Sequence, residues 1–301
     1  MGKNWKALKE GEIVDVIAPA YGISKQGLEK AKEYISSIGL VPRVPSDILG
    51  EDLFCSNADE IRLKHLKDAL YANDSKAIWC LKGGYGTARI LHHLEEENAP
   101  TKPKAVIGFS DITSLHLFLT QKWEWNSVHG SVLWQLSEKK INNESIEKLK
   151  NLIFGKEKEQ KFKLIPLNKR FKGNIKASVT GGNLMLIQSS IATSWQMDAN
   201  NKIVLLEDVD EKAYRIDRML LHLNQSGILN GAKAIIFGDF TGEGVIEKDV
   251  DSVLKRFAEE FAAPVFRAKG IGHDSINNPL PLGTKAVIYD NILKCESGFN
   301  V

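Results

Sequence analysis

Short apolar runs recur along the first half of the chain, each followed by a turn and then by a stretch with helical spacing. Residues 13–18 form one such run, closed by Pro19, and residues 25–38 read as a helix stopped by Gly39. A second helix is predicted to begin at Asn57, which caps it with Glu60 three positions on in an Asn version of the capping box. Leu63, Leu66 and Leu70 then share one face. Residues 77–81, AIWCL, read as a buried strand, followed by the turn Gly83-Gly84-Tyr85-Gly86 and a helix to about Leu94. Residues 105–108 repeat the pattern: a short apolar strand, then Phe109-Ser110-Asp111, then a helix from Ile112 with Leu115 and Leu119 on one side.

Strands alternating with helices predict an α/β fold with a parallel sheet covered on both faces, whose ligands gather outside the carboxyl ends of the strands. The glycine-rich turn and Ser110 both fall there. From 139 to 172 the pattern gives way to polar and charged residues, so a boundary is expected between an N-terminal domain, 1–155, and a C-terminal domain, 156–301. In the second part, 175–180 reads as a strand leading to Gly181-Gly182-Asn183 and an apolar helix. Residues 203–206 are a buried strand, and 214–225 a helix ended by Gly227. Further strands are expected at 234–237, 265–268 and 285–288.

Composition narrows the function classes. At 301 residues, with 43% hydrophobic and 26% charged content, the chain is long enough for two packed cores. A net charge of +2 supplies no global field for nucleic acid or an anionic membrane. The runs Lys156-Glu157-Lys158-Glu159 and Lys169-Arg170-Phe171-Lys172 read as solvated surface. No stretch approaches the ~18 apolar residues of a membrane span, and the N-terminus lacks the apolar segment of a signal peptide. Three widely spaced cysteines, Cys55, Cys80 and Cys295, fit neither a disulfide framework nor a zinc site, so a reducing, cytoplasmic location is expected.

Ser110 stands after a buried strand at the start of a helix, the position of a nucleophile elbow. The elbow pattern is half kept: Gly108-Phe109-Ser110 matches, whereas Ile112 replaces the final glycine. A helix-capping serine is the competing reading, with Asp111 as an equal candidate for the cap. The turn at 83–86 aims backbone N–H groups at a phosphate or an oxyanion, or is simply tight; it has neither a P-loop ending nor a dinucleotide spacing. Among seven histidines the best-placed base is His273, in the loop Gly270-Ile271-Gly272-His273. His65, His92, His93 and His222 lie in predicted helices and read as structural, and His116 points away from the serine's face. His129 either lines the pocket or, the favoured reading, lies on the surface. Glu207, after the run at 203–206, is the candidate carboxylate to hold the base's tautomer, with Asp208, Asp210 and Glu211 as competitors. Glu207, Asp208, Asp210 and His273 lack the spacing of a metal motif such as HExxH, so no metal is assigned.

Four segments together, LKGGYGTARIL, IGFSDITSLHL, IVLLEDVDEKAYRIDRML and GIGHDSINNPLPLGTKAVI, resemble the LD-carboxypeptidases, serine peptidases that include the microcin C self-immunity enzymes. The likeness runs from 14 to 288 and includes Thr180-Gly181-Gly182-Asn183-Leu184 and Gly238-Asp239-Phe240-Thr241. The resemblance implies a triad of Ser110, His273 and Glu207, and an oxyanion hole from the backbone N–H groups of Gly84 and Asp111. It implies a flavodoxin-like N-terminal domain with a parallel sheet and a C-terminal α/β domain with a small barrel-like sheet, the site lying between them. It also implies a cytoplasmic homodimer without cofactors that removes terminal D-alanine from murein tetrapeptides in peptidoglycan recycling, its partner being a peptide ending in a D-amino acid.

Lys82 departs from the family's arginine and Phe109 from its common tyrosine. No tryptophan lies between Asp239 and His273 to stack on a nucleotide, which favours a peptide over an aminoacyl-nucleotide of the microcin type. A substrate's terminal carboxylate needs a cation, and Arg89 and Arg215 are candidates, although Arg215 can instead pair with Asp210 or Asp217. The reading from a different class is a non-catalytic anion-binding module in which Ser110 only caps a helix.

Overall fold

The computed structural model describes residues 2–300. Its first sheet has six strands, in spatial order Leu280–Leu282, Ser127–His129, Ala105–Gly108, Ser75–Cys80, Ile13–Ile17 and Val41–Arg43. The last five are parallel, and numbered along the chain they run 2-1-3-4-5 from the Val41–Arg43 edge, the flavodoxin-like order. Almost every residue of the three central strands is buried, as a sheet covered on both faces requires. Leu280–Leu282, from the far end of the chain, adds an antiparallel edge by pairing with Ser127–His129.

The second sheet has eight strands. Asn174–Asn183, Lys202–Val209, Ala234–Thr241 and Val265–Arg267 form its parallel centre. Lys285–Tyr289, Ile292–Glu296 and Glu159–Lys163 extend one side antiparallel, and Ile165–Pro166 closes the other. The two edge strands, Glu159–Lys163 and Ile165–Pro166, are joined by the single residue Leu164, so the sheet must curl until its edges approach. This is the expected barrel-like form. Its interior holds Phe162, Ile203, Leu205, Ile236, Phe266 and Ile288. On the outer face, alternating with these, Val204, Leu206, Ile235 and Phe237 join a core that continues into Ile78, Val106 and Phe118 of the first half.

Two local expectations need correction. Asn57 does not cap a helix: its Oδ1 accepts only the adjacent Ala58 N–H, at 2.8 Å, while its amide donates to Asp47 O at 2.7 Å. The helix starts at Asp59, without a side-chain cap and with Asp59 and Glu60 in its first turn, because Asn57 is engaged in holding the preceding loop. The helix expected from Ile112 begins as a tight 3-10 turn, Ser110–Ile112, and becomes α-helical over Thr113–Lys122.

Candidate active site

The buried strand Ala105–Gly108 runs into extended Phe109 and then into Ser110, whose φ of 63° places a non-glycine residue in the left-handed region. Such a backbone costs on the order of 1–3 kcal/mol and persists only where its surroundings enforce it. Here they do. A Cβ on Gly83 would stand 2.9 Å from Ser110 Cβ, so the glycine turn packs directly on the serine. Asp111, almost fully buried, accepts the Thr87 N–H through Oδ2 at 2.8 Å. It therefore caps the helix Thr87–Leu91, which follows the glycine turn, and ties the two turns together. Burial pushes its carboxyl above the usual range. Behind the elbow, His116 Nε2 donates to Gly108 O at 2.8 Å, turned away from the serine as its spacing implied.

Gly84 has a φ of 113°, and a Cβ there would overlap the Tyr21 ring. Its N–H has no acceptor among the described residues. The turn is held from behind by Arg62, whose guanidinium donates to Gly86 O at 3.0 Å and to Pro19 O and pairs with Asp59. The sequence reading missed this residue. Its signal was an arginine four positions before Leu66, in the buried row of its helix. Lys82 lies 4.8 Å from the Trp134 ring centroid and 5.8 Å from that of Tyr21, a cation over two aromatic faces.

Glu207 belongs to the strand Lys202–Val209, which continues past the apolar run. Its pairing with Ala234–Thr241 shifts register between Leu206 and Asp208, a bulge that re-aims the side chain between them. Glu207 is wholly buried, and its Oε2 accepts the His273 Nδ1–H at 2.7 Å. A carboxylate at Nδ1 fixes the tautomer and leaves Nε2 as the proton acceptor. The His273 loop is held by Asp239, whose N–H donates to Ile271 O at 2.8 Å and whose Oδ2 accepts the Gly270 N–H at 2.9 Å. Gly272, with φ 143°, lets the loop approach: a Cβ there would lie 3.0 Å from Glu207 Oε2. Burial alone pulls the imidazole's pKa down, but the charge and hydrogen bond of Glu207 outweigh it and raise it above the ordinary value. The Phe109 and His273 ring centroids are 4.6 Å apart, so the imidazole rests against the residue preceding Ser110.

His129 is a correction. It is not on the surface but wholly buried at the end of Ser127–His129, edge-on to Phe109 at 5.7 Å, because the antiparallel strand Leu280–Leu282 covers it. Burial pulls its pKa down to about 4, so it is neutral near pH 7. Phe109 thus packs between two imidazoles.

The competing acids have other partners. Asp208 accepts from Asn183 Nδ2 at 2.8 Å and from Met185 N–H at 3.0 Å, and burial pushes its pKa up to about 7. Asp210 accepts the Glu243 N–H at 2.7 Å, and Glu211 lies 3.7 Å from Arg215. Arg215 therefore pairs with neither Asp210 nor Asp217; the latter is bound by Arg256. Arg89 makes a two-pronged pair with Asp59, at 2.6 and 2.9 Å. Both arginine side chains are more than half exposed, at 52% for Arg89 and 56% for Arg215.

Comparison with known proteins agrees along most of the chain. Residues 14–130 match the LD-carboxypeptidase N-terminal domain, and residues 176–288 the LD-carboxypeptidase C-terminal domain. A putative carboxypeptidase of Rickettsia conorii is 40% identical over 281 residues, covering 91% of this chain and 87% of that protein. A probable murein peptide carboxypeptidase of Bacillus subtilis is 30% identical over 288 residues, covering 94% and 90%. The crystal structure of a muramoyltetrapeptide carboxypeptidase from Oxalobacter formigenes superposes with a TM-score of 0.82 at 23% identity, over 96% of this chain and all of that one, a likeness of fold. With both halves matched in order and two relatives aligned over nine-tenths of its length, the chain belongs to the LD-carboxypeptidase family.

Proposed function

We propose that the protein is a serine LD-carboxypeptidase that hydrolyses the amide bond to the terminal D-alanine of murein tetrapeptides. The observation that carries this reading is the buried Glu207–His273 pair, whose imidazole rests on Phe109, the residue preceding the left-handed Ser110. His273 Nε2 takes the hydroxyl proton as Ser110 Oγ attacks the scissile carbonyl, and Glu207 stabilises the imidazolium that forms. The N–H groups of Gly84 and Asp111 receive the oxyanion, and each such donor is worth about 10²–10³ in rate. The imidazolium then returns its proton to the departing amine, leaving an acyl-enzyme on Ser110 that water resolves by the same route. The reading places the nucleophile in residues 1–155 and the acid and base in residues 156–301. It also carries with it a cytoplasmic homodimer acting in peptidoglycan recycling.

The test is a mass-spectrometric assay of tetrapeptides ending in D- or L-alanine with the native chain and Ser110→Ala. Release of D-alanine by the native chain alone is expected. Equal turnover by Ser110→Ala would remove the serine mechanism, and activity lost to a chelator would point to metal instead.

A further inference from the structure

Three segments that leave the carboxyl edge of the parallel sheet meet beside the glycine turn. Tyr21 follows the strand Ile13–Ile17, Lys82 follows Ser75–Cys80 and Trp134 follows Ser127–His129, on the edge from which Ser110 also emerges. The Tyr21 N–H donates to Gly83 O at 3.2 Å and the Trp134 N–H to Leu81 O at 3.0 Å, so backbone bonds bracket Lys82 on both sides. The lysine is half-buried, with its ammonium over the Trp134 and Tyr21 rings. Lys140 Nζ stands 4.5 Å from the same Trp134 centroid, so two cations share one indole. Neither ammonium has an acid partner among the described residues. Glu138, the acid nearest Lys140 along the chain, is taken by Lys30 at 3.0 Å. Burial holds the Lys82 pKa below the ordinary lysine value, and the charge of Lys140 lowers it further. A half-buried ammonium facing a second cation and no acid is a place where an anion relieves both desolvation and repulsion.

That place adjoins the chemistry. Lys82 precedes Gly83, where a Cβ would stand 2.9 Å from Ser110 Cβ. The Tyr21 ring that its ammonium faces is the same ring that a Cβ on Gly84 would overlap, and Gly84 itself is exposed. We infer that Lys82 binds the terminal carboxylate of the substrate. The inference rests on the reading of the chain as a carboxypeptidase. With the scissile carbonyl at Ser110 and its oxygen at the Gly84 N–H, the terminal carboxylate is only three bonds from the carbonyl carbon, so the cation that meets it must stand within a side chain's length of the serine. Lys82, one residue from the glycine packed on Ser110, satisfies this. The neighbouring arginines do not offer the same: Arg62 and Arg89 are held by Asp59, and Arg215 is exposed beside Glu211. An ammonium attracts a carboxylate through its charge, and an uncharged carboxamide terminus gains no such attraction.

The experiment compares kcat/KM on a D-alanine-ended tetrapeptide with that on the same peptide bearing a C-terminal carboxamide. The native chain is expected to favour the acid by about 10–100-fold. In Lys82→Met, which keeps an apolar stem against the two rings, that ratio falls toward one, chiefly through KM on the acid. Lys82→Gln removes the charge with a different stem and serves if the methionine variant fails to fold, as melting curves will show. Lys82→Arg restores the charge and is expected to keep the native ratio, an outcome that a merely structural role for the lysine would not produce. Equal cleavage of acid and amide by the native chain, a native ratio retained in either folded neutral variant, or a ratio lost equally in Lys82→Arg overturns the inference and leaves the carboxypeptidase reading standing. No cleavage of either peptide by the native chain overturns both.

Discussion

His273 Nδ1 and Glu207 Oε2 stand 2.7 Å apart, with the carboxylate wholly buried and the imidazole 13% exposed. The charge that raises the imidazole's pKa is thus shielded from water, and its removal has a defined sign. Glu207→Gln keeps the shape but loses the charge and the fixed tautomer. It is expected to lower kcat by about 10⁴. Because the base must be neutral to act, the acid limb of the kcat/KM profile follows the His273 pKa, and in Glu207→Gln that limb should move to lower pH. An unmoved limb would mean that another group controls it.

Ser110 has its left-handed backbone whatever its side chain does. Ser110→Ala keeps the Cβ and hence the strain, so it should lose turnover with little change in stability. Ser110→Gly loses turnover too, but removes the Cβ from its contact with Gly83, and is expected to be more stable than Ser110→Ala by about 0.5–1 kcal/mol. Thermal or urea melting of the two variants checks this. Equal melting points would show that the turn holds no strain.

At Gly84, any side chain meets the Tyr21 ring and a φ of 113° that L-residues rarely adopt. Gly84→Ala should lower kcat by about 10²-fold or more by displacing one oxyanion donor. Adding Tyr21→Ala clears the overlap but not the backbone requirement, so recovery should be partial. Full recovery would assign the glycine to packing alone.

Burial pushes the Asp239 carboxyl up to about 6, above its range in an unfolded chain. The folded state therefore binds the extra proton between about pH 4 and 6, and the native protein loses stability as pH rises through that window. Asp239→Asn retains an oxygen for the Gly270 N–H and carries no such cost. Its melting temperature relative to the native chain should climb from pH 4 to pH 6 and then level off. A constant difference would place the titration elsewhere.

The serine turn and the glycine turn were legible because strand, turn and helix follow one another within a dozen residues, and each announces its neighbour. The Glu207 strand was legible only as far as Leu206. There the apolar run stops, while the hydrogen bonding continues through a bulge at which Glu207 meets His273. His129 was misread because a three-residue strand carries no periodicity, and the strand that buries it comes from some 150 positions later. Arg62 sits in a charged stretch, Asp59-Glu60-Ile61-Arg62-Leu63-Lys64, and Arg267 at the end of an apolar strand, yet both are buried. Nothing local distinguishes a buried arginine that braces a turn from one with donors to spare.

Leu280–Leu282 leaves the C-terminal half to finish the sheet of the N-terminal half, and Phe299–Asn300 returns to pair with Trp5–Lys6. The two halves of the molecule are thus laced together at two places. A fragment ending near residue 155 would bare the backbone of Ser127–His129 to any passing strand, and expressing the two halves separately invites aggregation rather than complementation. The lacing also leaves little freedom for the halves to swing apart, so on the proposed reading a peptide has to fit a mould already cast.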